Sequence, residues 1–439
     1  MFVQSGFDKL LMLPDLKGGK MVKRILSIAL AYVGIIVGAG LSSGQDLIQY
    51  FVGFGVWGMI GVIVLGILNA IFGRIIITLG SYYRSNDHSE VLSKIAHPFT
   101  NRVLDIALII SCYVIGFVMI AGAGSNLNQQ FGLPTWLGAL ICALLVIFVS
   151  FLDFEKITQI IGIFTPIVII MVLIIAGHTL IGQSFDFTQL NAVAKTLPTN
   201  MPNIWVSVLN YFALCVMTGV SMAFVLGGSI IRIGVAEKAG TLGGAIVGLI
   251  IAVTSLVLFV NVGKIASADI PILVLANEIH PWFALAYALV VFGLIFNTAF
   301  SLYYSLAKRF SESQGGSQFK RYLIIFVVSG YVLSFLGFKQ LVSIMYPVLG
   351  YIGMVMLVVL LQAWIRGKSN VQDEKHLRRR MISLISKKYD NDKKFTKEDR
   401  VEYQQLGEES VVETKEIKED IHDNVEQVFD SEMNNKLNR

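Results

Sequence analysis

Gly34-Ile35-Ile36-Val37-Gly38-Ala39-Gly40-Leu41-Ser42-Ser43-Gly44-Gln45-Asp46 lies inside the first long apolar segment of a 439-residue chain, and its reading decides the fold. Each glycine in a helix interior costs about 1 kcal/mol relative to alanine. Gly34, Gly38, Gly40 and Gly44, with Ser42 and Ser43 beside them, therefore weaken the helix in mid-segment. The flanking sequence is apolar over lengths of roughly 20 residues, enough to cross a bilayer as a helix. A backbone that opens there frees N–H and C=O groups that lipid cannot partner. A bound solute and cation can be those partners.

Outward from this stretch, the whole chain is built of apolar runs. Hydrophobic residues make up 55% of it and charged residues 15%, with 28 Phe. Soluble domains carry about 25% charge. Ten segments are marked: 24–52, 55–79, 102–127, 134–152, 157–181, 204–231, 240–262, 282–307, 321–337 and 340–365. They predict an all-α polytopic membrane protein, since the runs are too long for barrel strands. With the N-terminus inside, twelve loop Lys and Arg fall on the cytoplasmic side and only Lys195, Lys264 and Lys339 on the other. That bias puts both termini in the cytoplasm. Two outer connections are long, 182–203 and 263–281; Pro271–Ile279 in the second is too short to span and reads as a helical lid.

Three regions follow. Residues 1–23 are an N-terminal cytoplasmic segment, of which 1–20 read as an annotation artefact. Lys17-Gly18-Gly19-Lys20 fits a purine-rich ribosome-binding sequence ahead of a start at Met21. Residues 24–365 are the membrane domain. Residues 366–439 hold 16 basic and 17 acidic groups and are expected to be a largely disordered tail. Within it, 366–396 is basic and interleaved with Met381, Ile382, Leu384 and Ile385, as on an amphipathic helix at an anionic leaflet. Cys112, Cys142 and Cys215 sit singly in apolar runs, without metal or disulfide spacing.

An internal repeat is legible. Gly38 in segment 1 and Gly219 in the run Met217-Thr218-Gly219-Val220-Ser221 of segment 6 are 181 residues apart. So are Pro166 in segment 5 and Pro347 in segment 10. Leu152-Asp153-Phe154-Glu155-Lys156-Ile157 resembles Leu336-Gly337-Phe338-Lys339-Gln340-Leu341. Two halves of five helices must enter the membrane from opposite sides, an inverted 5+5 repeat with segments 1 and 6 both broken.

Substrate contacts are expected at Gly38, Ala39, Gly40, Ser42, Tyr113, Thr218, Gly219 and Ser221. Asp46 is the only carboxylate well inside an apolar segment. Intramembrane acids are costly and mark ion or proton paths; an Asp wetted near the outer surface is the bland alternative. Asn297 and Ser301 share a helix face, as do Thr298 and Ser301, so the three can complete an ion site with carbonyls of segment 1. Arg74 is expected to snorkel at the inner end of segment 2.

The glycine run resembles the unwound first helix of the amino acid–polyamine–organocation superfamily, whose architecture is the leucine-transporter fold. Its continuation Leu41-Ser42-Ser43-Gly44-Gln45-Asp46 is similar to a group of uncharacterised bacterial membrane proteins within it. The resemblance covers 24–365. It implies a substrate site between segments 1, 3, 6 and 8, and a cation held by the carbonyls of Gly34 and Val37 with Asn297 and Thr298. Sodium-coupled members usually carry adjacent small hydroxyl residues where this chain has Asn297-Thr298, which leaves proton coupling through Asp46 open.

These readings converge on a cation-coupled importer of an amino acid or similar zwitterion, with sodium or a proton as coupling ion and no cofactor. The alternative is a proton-driven exporter or exchanger on the same fold. An enzyme would need a polar catalytic constellation in the membrane, and the six histidines stand unpaired at segment ends and in the tail. A channel would show a repeated filter or charged ring. The partners expected are a small-molecule substrate and the lipid bilayer, with no nucleic acid; oligomeric state is not legible.

Overall fold

A computed structural model describes residues 18–37, 42–84, 88–151, 164–182, 184–311, 316–389 and 394–437. Among these residues the regular structure is helical. Segment 1 is two helices, α1 (Gly18–Ile36) and α2 (Gln45–Tyr50). Segment 2 is α3 (Val56–Tyr83), followed by the short α4 (His88–Ile95). Segments 3, 4 and 5 are α5 (Pro98–Phe131), α6 (Thr135–Val149) and α7 (Phe164–Leu180). After the surface helix α8 (Phe187–Ala194) come segment 6 as α9 (Ile204–Gly228) and segment 7 as α10 (Ile233–Val260). The short α11 (Val262–Ile265) and the expected lid, α12 (Pro271–Ile279), lead into segment 8, α13 (Pro281–Arg309). Segment 9 is α14 (Ser317–Ser334) and segment 10 is α15 (Phe338–Tyr389). The tail carries α16 (Lys397–Glu409) and α17 (Thr414–Leu437).

Among the described residues, α3, α5, α9, α10, α13 and α15 are long and apolar enough to cross a membrane. Their outward faces are apolar too. On α3, Ile60, Ile63, Ile67 and Ile71 form an exposed stripe, while Val62, Leu65 and Ile76 are buried. A helix apolar all round belongs in lipid or a large core. The broadest helix contact, α3 against α10, is antiparallel and built on small residues. A Cβ on Gly66 would lie 3.4 Å from the Gly248 Cα, and one on Gly73 would press 2.5 Å from the Gly240 carbonyl oxygen. Lipid tails are as apolar as leucine, so close backbone approach supplies the attraction here.

Several expectations are corrected. Segment 6 is not broken: α9 runs without interruption through Met217, Gly219 and Ser221. Segment 7 begins earlier, at Ile233, because Glu237 is neutralised at its start. Arg74 does not merely snorkel; it pairs with Glu237 at 2.9 Å and lies over the Trp364 ring at 5.7 Å. The tail is not largely disordered. It is helical, and its Ile417, Ile421 and Val425 are buried against Met381, Ile382 and Ile385 of α15. That apolar stripe supplies the burial that its charge count concealed. The two halves of the sequence likeness at the starts of segments 5 and 10 fare differently. Residues 152–157 lie outside the described residues, and Phe338–Leu341 form the first turn of α15.

Candidate functional site: the interruption of the first membrane helix

The first membrane helix stops at Ile36, with the Val37 amide still donating to the Val33 carbonyl at 2.8 Å. It resumes at Gln45 after Gly44, which sits in the left-handed region at φ 78°. Only glycine adopts that conformation routinely. The position is crowded as well, since a Cβ there would lie 2.9 Å from Ile272 of the lid. Gly38, Ala39 and Gly40 lie outside the described residues.

Two helices close on this interruption. From α9, Gly219 faces the end of α1, where a Cβ would meet the Ile36 terminal methyl. From α13, the Tyr287 hydroxyl donates to the Ser42 carbonyl at 2.7 Å. From α9 again, the Tyr211 hydroxyl donates to Asp46 Oδ2 at 2.8 Å, while the Leu47 amide donates to Oδ1 at 2.9 Å. Asp46 is 4% exposed. It is therefore not wetted at a surface, and both of its oxygens are occupied.

The short helix α2 is strapped at its far end too. Tyr50 donates from its hydroxyl to Asn210 Oδ1 at 2.9 Å, and its carbonyl accepts from Ser207 at 2.6 Å. Asn210 Nδ2 passes the chain on to the Pro347 carbonyl of α15 at 2.9 Å. Asn210 reaches it because Gly350 has no side chain; a Cβ there would overlap the amide. The Tyr50 and Tyr211 rings stand 5.0 Å apart, and Phe51 meets Tyr211 edge-on at 5.2 Å.

Among the described residues several buried side-chain atoms lack a partner, and those of Gln45 and Asn297 fall on stretches of α2 and α13 that the sequence singles out. Gln45 is 1% exposed and neither its Nε2 nor its Oε1 has a partner; its backbone amide donates to Ser43 Oγ at 3.2 Å. Asn297 Oδ1 on α13 is likewise buried without a donor. A buried polar group without a partner costs about 1–3 kcal/mol, so such groups call for an explanation.

The remaining sequence candidates divide. Ser42 and Val37 are buried at the edge of the interruption, and a Cβ on Gly34 would meet open space. Thr298 spends its hydroxyl proton on the Leu294 carbonyl at 2.9 Å and keeps its lone pairs, while Ser301 is half-buried on the same helix. Ser221 is half-buried; Thr218 is exposed and bonds its own helix at the Cys215 carbonyl. Tyr113 is not brought to the interruption by its contacts. Its hydroxyl donates to Ser329 of α14 at 2.8 Å and its ring packs on Tyr303 and Phe326. His422 is not isolated either: on α17 its ring nitrogens come within 4.8 Å of ligand oxygens of Asp423 and Glu426, and it contacts the Tyr389 hydroxyl at 3.0 Å.

Tyr211, Asn210, Gln45 and Tyr287 are absent from the sequence candidates. Asn210-Tyr211 was visible as a polar pair inside an apolar segment, the kind of group that bonds across membrane helices. Gln45 stands beside Asp46 but carries no charge to draw attention. For a cation, the unpaired buried carbonyl oxygen of Asn297 is a candidate donor on α13, where the Thr298 hydroxyl keeps its lone pairs; each Asp46 oxygen already accepts one hydrogen bond.

No family model matches the chain. It is 24% identical over 342 residues to the uncharacterized membrane protein YkvI of Bacillus subtilis (strain 168), covering 76% of this chain and 94% of that protein. To the uncharacterized protein YyaD of the same organism it is 24% identical over 332 residues, with the same coverage. Among solved structures, an inward-facing conformation of Mhp1 matches 76% of this chain and 75% of its own at TM-score 0.54 and 14% identity. MhsT in complex with L-phenylalanine matches 91% and 98% at TM-score 0.51 and 14% identity. Both are secondary transporters of the leucine-transporter fold, and at that identity the likeness speaks for the fold. The chain is an all-α polytopic membrane protein that shares this fold.

Proposed function

We propose that the chain is a member of the amino acid–polyamine–organocation superfamily and moves a small solute across the bacterial cell membrane by alternating access. In this reading transport is coupled to a cation, the solute is an amino acid or similar zwitterion, and both termini are cytoplasmic. The observation that carries the reading is the interruption between Ile36 and Gln45, closed in by α9 and α13 and carrying a buried, unpartnered amide at Gln45. An amide offers one donor and one acceptor side by side. The carboxylate and ammonium of a zwitterion present the complementary pair. A neighbour of this fold holds L-phenylalanine, which puts amino acids first among the solutes to try. The antiparallel contact of α3 and α10, counterparts in the two halves, supports the inverted repeat. No catalytic residue is proposed.

The coupling ion sits on α13 in this reading, with Asn297 Oδ1 and Thr298 Oγ1 as side-chain donors and carbonyls of Gly34 and Val37 across from them. Sodium supplies the counter-charge there and fixes the solute's carboxylate. A second reading, proton-coupled export or exchange, rests on Asp46, a buried intramembrane acid of the kind that marks proton paths.

Thermal unfolding of the purified protein, with amino acids in the presence and absence of sodium, tests both. A ligand at 100 times its Kd stabilises by about 2.7 kcal/mol. Gln45→Leu should unfold no earlier than the wild type without ligand, because it removes unsatisfied polar atoms, yet lose the ligand-induced shift. Asn297→Ala should keep the shift but blunt its sodium dependence. A full shift in Gln45→Leu removes Gln45 from the site. A shift that responds to pH and not to sodium selects the second reading. No shift with any amino acid under either ion overturns the substrate class.

A further inference from the structure

The most heavily invested charged group of the chain lies outside the candidate site. Arg378 is 1% exposed and belongs to the part of α15 that runs past the last apolar turn, at Ile365, as far as Tyr389. Its guanidinium donates to the carbonyls of Ser81 at 2.7 Å and Tyr82 at 2.8 Å, and reaches that of Ile231 at 3.4 Å. Ser81 and Tyr82 are the last turn of α3, whose carbonyls have no partner within the helix and carry the negative end of its dipole. Arg84 does the same for α9: it donates to the Gly228 carbonyl at 2.6 Å and pairs with Asp420 of α17. Lys375 pairs with Glu237 at the start of α10.

The tail closes over these contacts. Glu374, which pairs with Arg378 at 2.7 Å, also accepts from Ser410 Oγ at 2.7 Å and from the Val411 amide at 3.2 Å. Ile231, in the connection from α9 to α10, is buried in one cluster with Met381, Ile382 and Ile385 of α15 and with Val412, Ile417, Ile421 and Val425 of the tail. The charge pattern of the tail serves the same end. Acidic residues of α16 cover basic ones of α15, with Arg380 on Glu402 at 2.6 Å and Lys387 on Asp399 at 2.7 Å.

We infer that residues 366–389 of α15, with α16 and α17 packed on them, are a latch that binds the tail-side ends of α3, α9 and α10 to α15, and that the path from the helix interruption to that side opens only when the latch releases. Alternating access moves one group of helices against another around a fixed site. Here the ends of three helices are tied to a fourth and to the tail helices packed on it. The inference rests on the transporter reading for its purpose, but its structural content stands on the contacts alone.

The test is amide hydrogen exchange on the full-length protein in nanodiscs, compared with a variant lacking 397–439 and with the double variant Glu402→Gln/Asp420→Asn, which keeps the chain intact. Thermal unfolding verifies that each variant is folded. A latch predicts several-fold faster exchange far from the tail, at Val33–Val37 and Met217–Val220, because water then enters from the released side. A tail that is only packed there predicts faster exchange confined to its docking points, Ser81–Arg84 and Gly228–Ile233. Confinement of that kind, or unchanged exchange in the double variant when the truncated chain does not fold, overturns the latch. Neither readout needs a substrate. A failure to find any transported amino acid therefore strikes the transport reading and leaves the latch to be judged on exchange.

Discussion

Segments 1 and 6 stand at corresponding places in the two halves of the sequence, and each carries glycine in mid-segment. Only the first breaks. Segment 1 has four glycines between Gly34 and Gly44, a helix penalty of about 4 kcal/mol at roughly 1 kcal/mol each. One of them, Gly44, is held at φ 78° under the lid. Segment 6 has Gly219 alone in that region, between Thr218 and Val220, and α9 passes through it as regular helix. The difference assigns roles. The continuous helix presents Ser207, Asn210 and Tyr211 as fixed partners, and the broken one hangs its short second half, α2, on them.

The largest effect that would sharpen this comparison comes from the glycines themselves. Gly44→Leu must adopt a left-handed backbone, costing about 1–2 kcal/mol, and must also displace Ile272. It should abolish uptake and the ligand-induced shift in thermal unfolding. Gly219→Ala meets only the flexible end of Ile36 and gains up to about 1 kcal/mol of helix propensity. It should unfold no earlier than the wild type and still transport. Equal loss of uptake in both variants would break the comparison, because α9 would then also have to open during the cycle.

A smaller effect lies in the strap between the two helices. Tyr211→Phe leaves Asp46 Oδ2 without a donor, which should destabilise the protein by about 1–3 kcal/mol. Combined with Asp46→Asn, the two changes should fall short of additivity by about 0.5–3 kcal/mol in chemical unfolding, as bonded pairs do. Additive effects would mean that α9 does not hold α2 through this pair.

The smallest effect concerns the tail that grips the end of α9. The Lys387 ammonium and the Thr396 amide hold the Asp399 carboxyl below the usual carboxylate range. A carboxylate with a depressed folded value contributes stability above about pH 4, its unfolded value, and loses it as pH falls through the folded one. Exchange at the amides of Lys397–Glu409, corrected for the intrinsic effect of pH, should therefore hold steady from neutrality to about pH 4 and rise below it. Early loss of protection, well above that pH, would assign the docking to groups other than Asp399.

The membrane class, the rough positions of the long apolar helices, the short helix at Pro271–Ile279 and the place of the first helix's interruption follow from the sequence alone. They depend on composition and spacing along the chain: apolar length against bilayer thickness, glycine against helix propensity, proline at a helix start. What only the tertiary structure decided depends on partners distant in sequence. Whether segment 6 breaks is settled by the helix around it, and one glycine facing the end of α1 does not break α9. Whether Asp46 is free or occupied depends on Tyr211, 165 residues away. The tail reads as solvated charge when counted. It is ordered because Ile417, Ile421 and Val425 recur on one helix face and find Ile231 and the extension of α15 there to cover them. Arg378, one basic residue among ten in its stretch, is singled out because two carbonyls in the last turn of α3 and one in the connection from α9 to α10 point at it.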